Sequence, residues 1–253
     1  VGADDPDDQV SGRGFAALAA AGIDVERGLL AQDVQAADPA YFHHRRTGLP
    51  LMRFKAALTL DGQIAAADGT SQWITGPDAR EDGHRLRAAS DAVMVGAGTL
   101  LADDPRLTVR IDGHDGFQPT PILIVGDRVV PPTAAVFAGT PIVYATHPVD
   151  LPAEVVVVPT GKDGVDVTAV AKDLAERGLL SVLVEGGPTL AGSLIQAGLM
   201  SRATFYLGAM LAAGRGLAPI AGTWRTVTDS RPVVIERTIA LGLDLRVDLR
   251  MEG

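Results

Sequence analysis

The sequence predicts an α/β fold: a mainly parallel central sheet flanked by helices, with antiparallel strands toward the C-terminus. Three observations carry this. Short apolar runs at Ala92–Val95, Ile122–Val125, Ile142–Ala145, Val155–Val158 and Ser181–Val184 have the length and composition of buried strands. Helical patterns at Val167–Arg177 and from Pro188 to about Ala197 lie between or after them, as crossover helices of parallel strands do. Ala203–Leu211 and Val233–Met251 instead alternate as antiparallel strands, with Leu241-Gly242 as a hairpin turn.

The 253 residues hold 47% hydrophobic side chains, enough for a sizeable core. A formal charge of −9 excludes a sequence-independent nucleic-acid binder, so an anionic ligand must be held by local arginines and amide groups. With no cysteine, the chain builds no disulfide, thiolate metal site or cysteine nucleophile. No apolar run has the ~20 residues of a membrane span and no signal-peptide pattern is present, so a cytoplasmic location is expected. Val1 to Pro6 reads as the end of a strand entering a loop, which predicts a piece of a longer polypeptide.

Gly12–Ala21 is expected to be a helix stopped by Gly22, Ile23–Leu29 a strand, and Ala31–Arg46 a second helix, a βαβα-like remnant. Some 46 residues without a disulfide or metal need something to pack on. His43-His44-Arg45-Arg46 reads as a solvated helix end and not as a metal site. Thr47–Pro50 is a linker. Leu51–Leu60 then alternates as a strand, with Met52, Phe54, Ala56 and Leu58 on one face and Arg53, Lys55, Ala57 and Thr59 on the other. Lys55 stands out, because a lysine between apolar neighbours in a central strand is costly unless it meets an anion.

Asp61-Gly62 signals a turn, and Gln63–Ala67 a short strand or loop. Trp73 lies in a polar, turn-rich segment and is placed at a pocket rim. Thr75 or Gly76 caps the next helix, with Pro77 at its first position. Ala79, Gly83, Leu86 and Ala89 form its inward stripe. Arg80, His84 and Arg85 read as a solvated face with a Glu81–Arg85 pair, while Arg87 fits either a solvated or a functional role.

Two glycine turns follow strands. After Val95, Gly96-Ala97-Gly98-Thr99 leads into a helical turn broken by Asp103-Asp104-Pro105; Leu101 replaces the third glycine of a dinucleotide fingerprint, leaving a tight turn and a cofactor turn both open. After Val184, Glu185-Gly186-Gly187-Pro188 opens a helix ended by Gly198, with free amide groups suited to a pyrophosphate.

Lys55, Ser71–Thr75, Leu101–Pro105 with Leu107–Arg110, and Val184–Leu190 occur in one order, and together they resemble the reductase domain of bifunctional bacterial riboflavin-biosynthesis deaminase/reductases. The likeness covers roughly Pro50 to Gly253. It implies a dihydrofolate-reductase-like fold and NADPH-dependent reduction of 5-amino-6-(5-phosphoribosylamino)uracil to its ribitylamino product. Residues 1–46, with Val10–Gly14, resemble the C-terminal end of the deaminase domain, 47–50 the linker and 51–253 the reductase domain. The deaminase zinc motifs are absent, so this chain as it stands is not expected to deaminate.

Position by position, the resemblance implies that Lys55, Ser71, Arg87, Leu107, Arg110 and Glu185 bind the phosphorylated substrate. It gives NADPH to Ala57, Trp73, Thr99, Asp103, Gly187, Pro188, Thr189, Leu190, Ala191, Gly192 and Ser193. Lys55, Asp103 and Glu185 are the expected catalytic set: Lys55 bonds the sugar hydroxyls and donates a proton, Asp103 orients the ribose or nicotinamide end, and Glu185 holds substrate and keeps Lys55 charged. Gly126-Asp127 stands where the family pattern has an Asp-Ser pair, so NADPH rather than NADH follows from the resemblance alone. A reductase of the same fold acting on a pterin or other heterocycle, or a cofactor-binding module without turnover, are the other readings. The strand edges of the tail predict a homodimer.

Overall fold

The computed structural model describes all residues except 8, 11, 163, 224 and 253. Ser11 of the Val10–Gly14 segment and the last residue of the expected reductase domain therefore lie outside the described residues. Nine strands form one sheet: β1 (Leu51–Thr59), β2 (Ala92–Gly96), β3 (Thr120–Gly126), β4 (Ile142–Ala145), β5 (Glu154–Val157), then, after a two-stranded hairpin of β6 (Thr160–Gly161) and β7 (Gly164–Val165), β8 (Ser181–Val184), β9 (Met200–Gly208), β10 (Val233–Leu241) and β11 (Asp244–Met251). Their order is β10-β11-β9-β1-β8-β2-β3-β4-β5. From β9 to β5 every neighbour is parallel; β11 runs antiparallel to β9, and β10 to β11. The expectation that Ala203–Leu211 belongs wholly to an antiparallel unit is thus corrected. β9 is the seam, parallel to β1 on one side and antiparallel to β11 on the other.

The helices are α1 (Arg13–Ala20), α2 (Ala31–Ala37), α3 (Pro39–Thr47), α4 (Pro77–Ala88), α5 (Ala97–Asp103), α6 (Val167–Glu176) and α7 (Pro188–Gln196). α6 and α7 pack against one apolar layer of the parallel strands, and α5 with Leu86 of α4 against the other. Met52, Phe54, Met94, Val182 and Leu194 belong to one layer, and Val93, Val95, Leu123, Val143 and Leu183 to the other. Period-2 alternation in the short strands assigns successive residues to opposite layers.

The first 46 residues depart most from expectation. Ile23–Leu29 forms no strand, and the helix expected over Ala31–Arg46 is two helices, because Pro39 cannot donate to an α2 carbonyl and starts α3 instead, capped by the Asp38 carboxylate. Neither α1 nor α2 buries a residue; α3 buries only Phe42.

In α4, Gly76 is the N-cap and Pro77 opens the helix; Ala79 and Gly83 face inward. Ala89 is exposed, and the buried residue the apolar stripe did not include is Asp82. Its carboxylate accepts from the Tyr206 hydroxyl at 2.7 Å and from Arg246 at 2.8 Å. Arg246 also bonds Asp248, which accepts from Thr204 at 2.7 Å. The polar alternate residues of β11 therefore turn inward beneath α4, and each finds a partner, as buried charge requires.

Candidate active site

Charged side chains from α4, β1, the β8–α7 turn and the 107–110 segment converge at one place. Arg87 is in the last turn of α4, and its Nε and Nη2 donate to the two carboxylate oxygens of Glu185 at 2.7 and 2.8 Å. Its Nη1 donates to the Thr108 carbonyl at 2.9 Å. Burial alone would raise the Glu185 carboxyl, but the positive charges of Lys55 and Arg87 and the Arg87 hydrogen bonds overcome it and hold the group down at about 2. Glu185 is thus an ionised acceptor at neutral pH.

Lys55 projects from β1 toward α4. A Cβ at Gly83 would stand 3.6 Å from its Cε, and its Nζ is 5.7 Å from the Tyr206 ring centroid. His84 Nδ1 accepts the Arg110 backbone N–H at 3.2 Å, so this ring belongs to the site and not to a solvated face. Burial, with the charges of Arg87 and Arg110, lowers the His84 imidazole to about 4 and keeps it neutral. Arg110 is disfavoured as a cation by burial and by Arg87 and Arg106 beside it. Three arginines crowded together make a place where a bound anion relieves repulsion.

Next to this cluster is a cavity of about 820 Å³ at the C-terminal ends of the parallel strands, where ligands of open α/β sheets bind. Its walls include Ser71 from the loop after β1, Thr99 and Asp103 of α5, and Gly187, Pro188 and Thr189 at the start of α7. Gly187 leaves the wall open where a Cβ would lie 3.4 Å from Thr99 Oγ1. Desolvation raises the Asp103 carboxyl. The chain joins cluster and cavity twice: the β8–α7 turn carries Glu185 into one and Gly187 into the other, and the connection after β2 does the same with Arg110 and Thr99.

A family model described as the RibD C-terminal domain matches residues 50–221. The chain belongs to this family. The riboflavin biosynthesis protein RibD of Mycobacterium tuberculosis H37Rv is 41% identical over 211 residues, which are 81% of this chain and 56% of that protein. The chain thus spans about half the length of that relative. Among solved structures, Acinetobacter baumannii RibD superposes with a TM-score of 0.89 at 27% identity, over 99% of this chain and 71% of that one. A Thermotoga maritima diaminohydroxyphosphoribosylaminopyrimidine deaminase/5-amino-6-(5-phosphoribosylamino)uracil reductase follows at 0.85 and 26%, over 99% and 70%. The sheet is the dihydrofolate-reductase-like one of RibD reductase structures.

Within this RibD C-terminal domain, Lys55, Arg87, Arg110 and Glu185 share the charged cluster, and Ser71, Thr99, Asp103, Gly187, Pro188, Thr189, Leu190 and Ser193 line the cavity. Three of the expected residues turn away. The Leu107 side chain is 1% exposed in the apolar layer, leaving only its backbone, at a φ of 57°, for any ligand. Ala191 is fully buried in the opposite layer, and Gly192 packs so closely on the Ala221 carbonyl that a Cβ could not fit; one face of α7 must serve the core. Ala57 and Trp73 are outside the cavity wall. Trp73 is exposed, with the Arg80 guanidinium 4.5 Å above its ring.

Sequence reasoning missed His84, whose helical spacing from Arg80 and Arg87 matched a solvated face equally well. It also missed Arg128, Thr146 and Lys162 in the cavity wall, since nothing in the chain order marks strands β3 and β4 and the β6–β7 hairpin as neighbours.

Proposed function

We propose that this domain carries out the NADPH-dependent reduction of the ribosyl group of 5-amino-6-(5-phosphoribosylamino)uracil to the ribitylamino product. The observation that carries the reading is the electropositive Arg87–Arg110 cluster with Lys55 and an ionised Glu185, set against a glycine-walled cavity. The cavity fits a dinucleotide: its volume is that of a cofactor site, Gly96, Gly98, Gly126 and Gly187 admit backbone approach, and the nine-residue α7 offers free amide groups to a pyrophosphate. Gly187, Thr189 and Thr99 are the groups to hold it, with Asp103 and Ser71 toward the substrate. When bound, the dinucleotide supplies the hydride that reduces C1′.

The chain's own residues orient and protonate. Arg110, with Arg87 behind it, binds the substrate phosphate; ionised Glu185 accepts hydrogen bonds from the substrate; Lys55 donates to the sugar hydroxyls and supplies the proton when the ring oxygen or amine needs one. Residues 1–46 in this reading are the end of a deaminase domain. The outer edge of β10, with Val233 and Ile235 exposed, supports a homodimer paired through it.

The test is NADPH oxidation at 340 nm with the phosphoribosylamino-pyrimidinedione supplied in situ by a separate deaminase, and with dihydrofolate in parallel. Oxidation with the former alone is expected; oxidation with dihydrofolate alone overturns the substrate. Light scattering at micromolar concentration is expected to give the dimer mass, and a monomer overturns the β10 pairing.

A further inference from the structure

The wall of the cavity opposite the reacting cluster carries two cations that no sequence motif marks. Arg128 follows the tight turn that ends β3: Gly126 takes a φ of +63° and the Arg128 N–H bonds back to the Val125 carbonyl at 3.0 Å. This folds the side chain over the start of α5, where a Cβ on Gly98 would lie 3.6 Å from Arg128 Nη1. Lys162 stands in the β6–β7 hairpin, which leans on the same turn, the Cβ position of Gly126 being 3.8 Å from Gly164 Cα. Both residues line the cavity with the hydroxyl-bearing Thr146 and Thr160.

Among the described residues, Arg128 has no ion pair, and Lys162 has only a long 3.5 Å contact to Gln196 Oε1. In a chain of net charge −9, two cations lining one cavity with no carboxylate partner among the described residues are placed for an external anion. Among the described residues, Asp127 is the opposing charge at this end of the wall.

β3 is three strand positions from β1, roughly 14 Å at about 4.8 Å per strand. A dinucleotide whose reacting ring is beside Lys55, with its pyrophosphate at α7, therefore has its adenosine end at β3 and β4. We propose that Arg128 and Lys162 form a phosphomonoester rim that selects the 2′-phosphorylated dinucleotide over the unphosphorylated one, replacing the Asp-Ser contact this chain lacks. The inference rests on the dinucleotide reading of the cavity. A fork-shaped guanidinium and a mobile ammonium together match a dianionic monoester, whereas a bare ribose hydroxyl would be read by Asp127.

Equilibrium binding by fluorescence or calorimetry tests it, using NADPH, NADH, 2′,5′-ADP and 5′-AMP as probes. The wild type is expected to bind NADPH and 2′,5′-ADP at least tenfold tighter than their unphosphorylated counterparts. Arg128→Ala/Lys162→Ala should weaken the phosphorylated pair by tenfold or more and leave NADH within twofold, and Asp127→Asn should tighten NADPH severalfold. Both substituted cations are exposed, and an unchanged melting curve reports that the variant is folded. A double variant that keeps the NADPH preference overturns the proposal, as does a wild type binding NADH equally well. Binding of neither dinucleotide overturns the cofactor reading and this inference with it, whereas tight, Arg128-dependent NADPH binding without turnover of the pyrimidinedione upholds the inference and overturns the substrate.

Discussion

Arg87 and Glu185, 98 residues apart in sequence, meet in a two-pronged ion pair at 2.7 and 2.8 Å, and the same guanidinium holds the Thr108 carbonyl. One arginine thus ties α4, the end of β8 and the arginine-bearing 107–110 segment into one unit. Both side chains are only about one-eighth exposed (13% and 12%), so removing either leaves the other poorly solvated. Arg87→Ala is expected to destabilise the fold by about 3–5 kcal/mol, with a fall in Tm on the order of 10 °C. Glu185→Gln, which keeps shape and loses charge, should melt closer to wild type but lower kcat; a Glu185→Gln enzyme of normal kcat would remove the carboxylate from the site's chemistry.

Lys55 and Arg110 should fail differently. Lys55→Ala is expected to lower kcat by roughly 10²–10⁴-fold, the range of a lost acid–base group, with NADPH affinity unchanged. Arg110→Ala should raise KM for the phosphorylated substrate by about 10–100-fold, the worth of a charge-assisted hydrogen bond, with little change in kcat. Steady-state kinetics with a separate NADPH titration checks both, and a cofactor defect in Arg110→Ala would reassign that arginine.

His84 predicts an acid-side loss of stability in a defined window. Its folded imidazole is lowered from 6.5 to about 4, so between those values the unfolded chain binds more protons. The contribution is complete above pH 6.5 and is lost as the pH falls toward 4. Glu185, lowered from 4.5 to about 2, contributes a separate loss below that window. Urea unfolding between pH 4 and 7 should show the slope, and His84→Gln should flatten it; an unchanged slope assigns it to other groups.

Arg246 is the hub between Asp82 and Asp248, and all three are buried. Arg246→Met takes the ion-pair partner from buried Asp82, while Asp248 keeps Arg53 and Arg237, and should destabilise the fold by about 3–5 kcal/mol. Arg246→Met combined with Asp82→Asn should recover much of the loss, since Asp248 keeps Arg237 at 3.2 Å and Arg53 at 3.6 Å and neither position then holds a carboxylate without a cation; calorimetry of the single and double variants measures the difference.

Much of the chain was legible because its signals are local. The apolar runs at 92–95 and 181–184, Pro188 at a helix start, Gly198 at a helix end and the Leu241-Gly242 turn all express conformational preferences of a few adjacent residues, and the elements formed there. The same local rules misread Ile23–Leu29, whose strand pattern has no partner strand to bond with, and treated Asp38-Pro39 as the inside of one helix although proline divides it.

The site was half legible. By itself the sequence determined which residue types stand at the strand ends: Lys55 in a central strand, Glu185 and the glycines ahead of Pro188, Arg110 after the Asp-Asp-Pro break. Only the tertiary structure decided which of them meet. It paired Arg87 with Glu185, drew His84 out of a solvated face, turned Asp244, Arg246 and Asp248 inward under α4, and brought Arg128 and Lys162 to one wall. Strand order and register set these meetings, and they depend on burial summed over the whole sheet, to which no short stretch of chain holds the key.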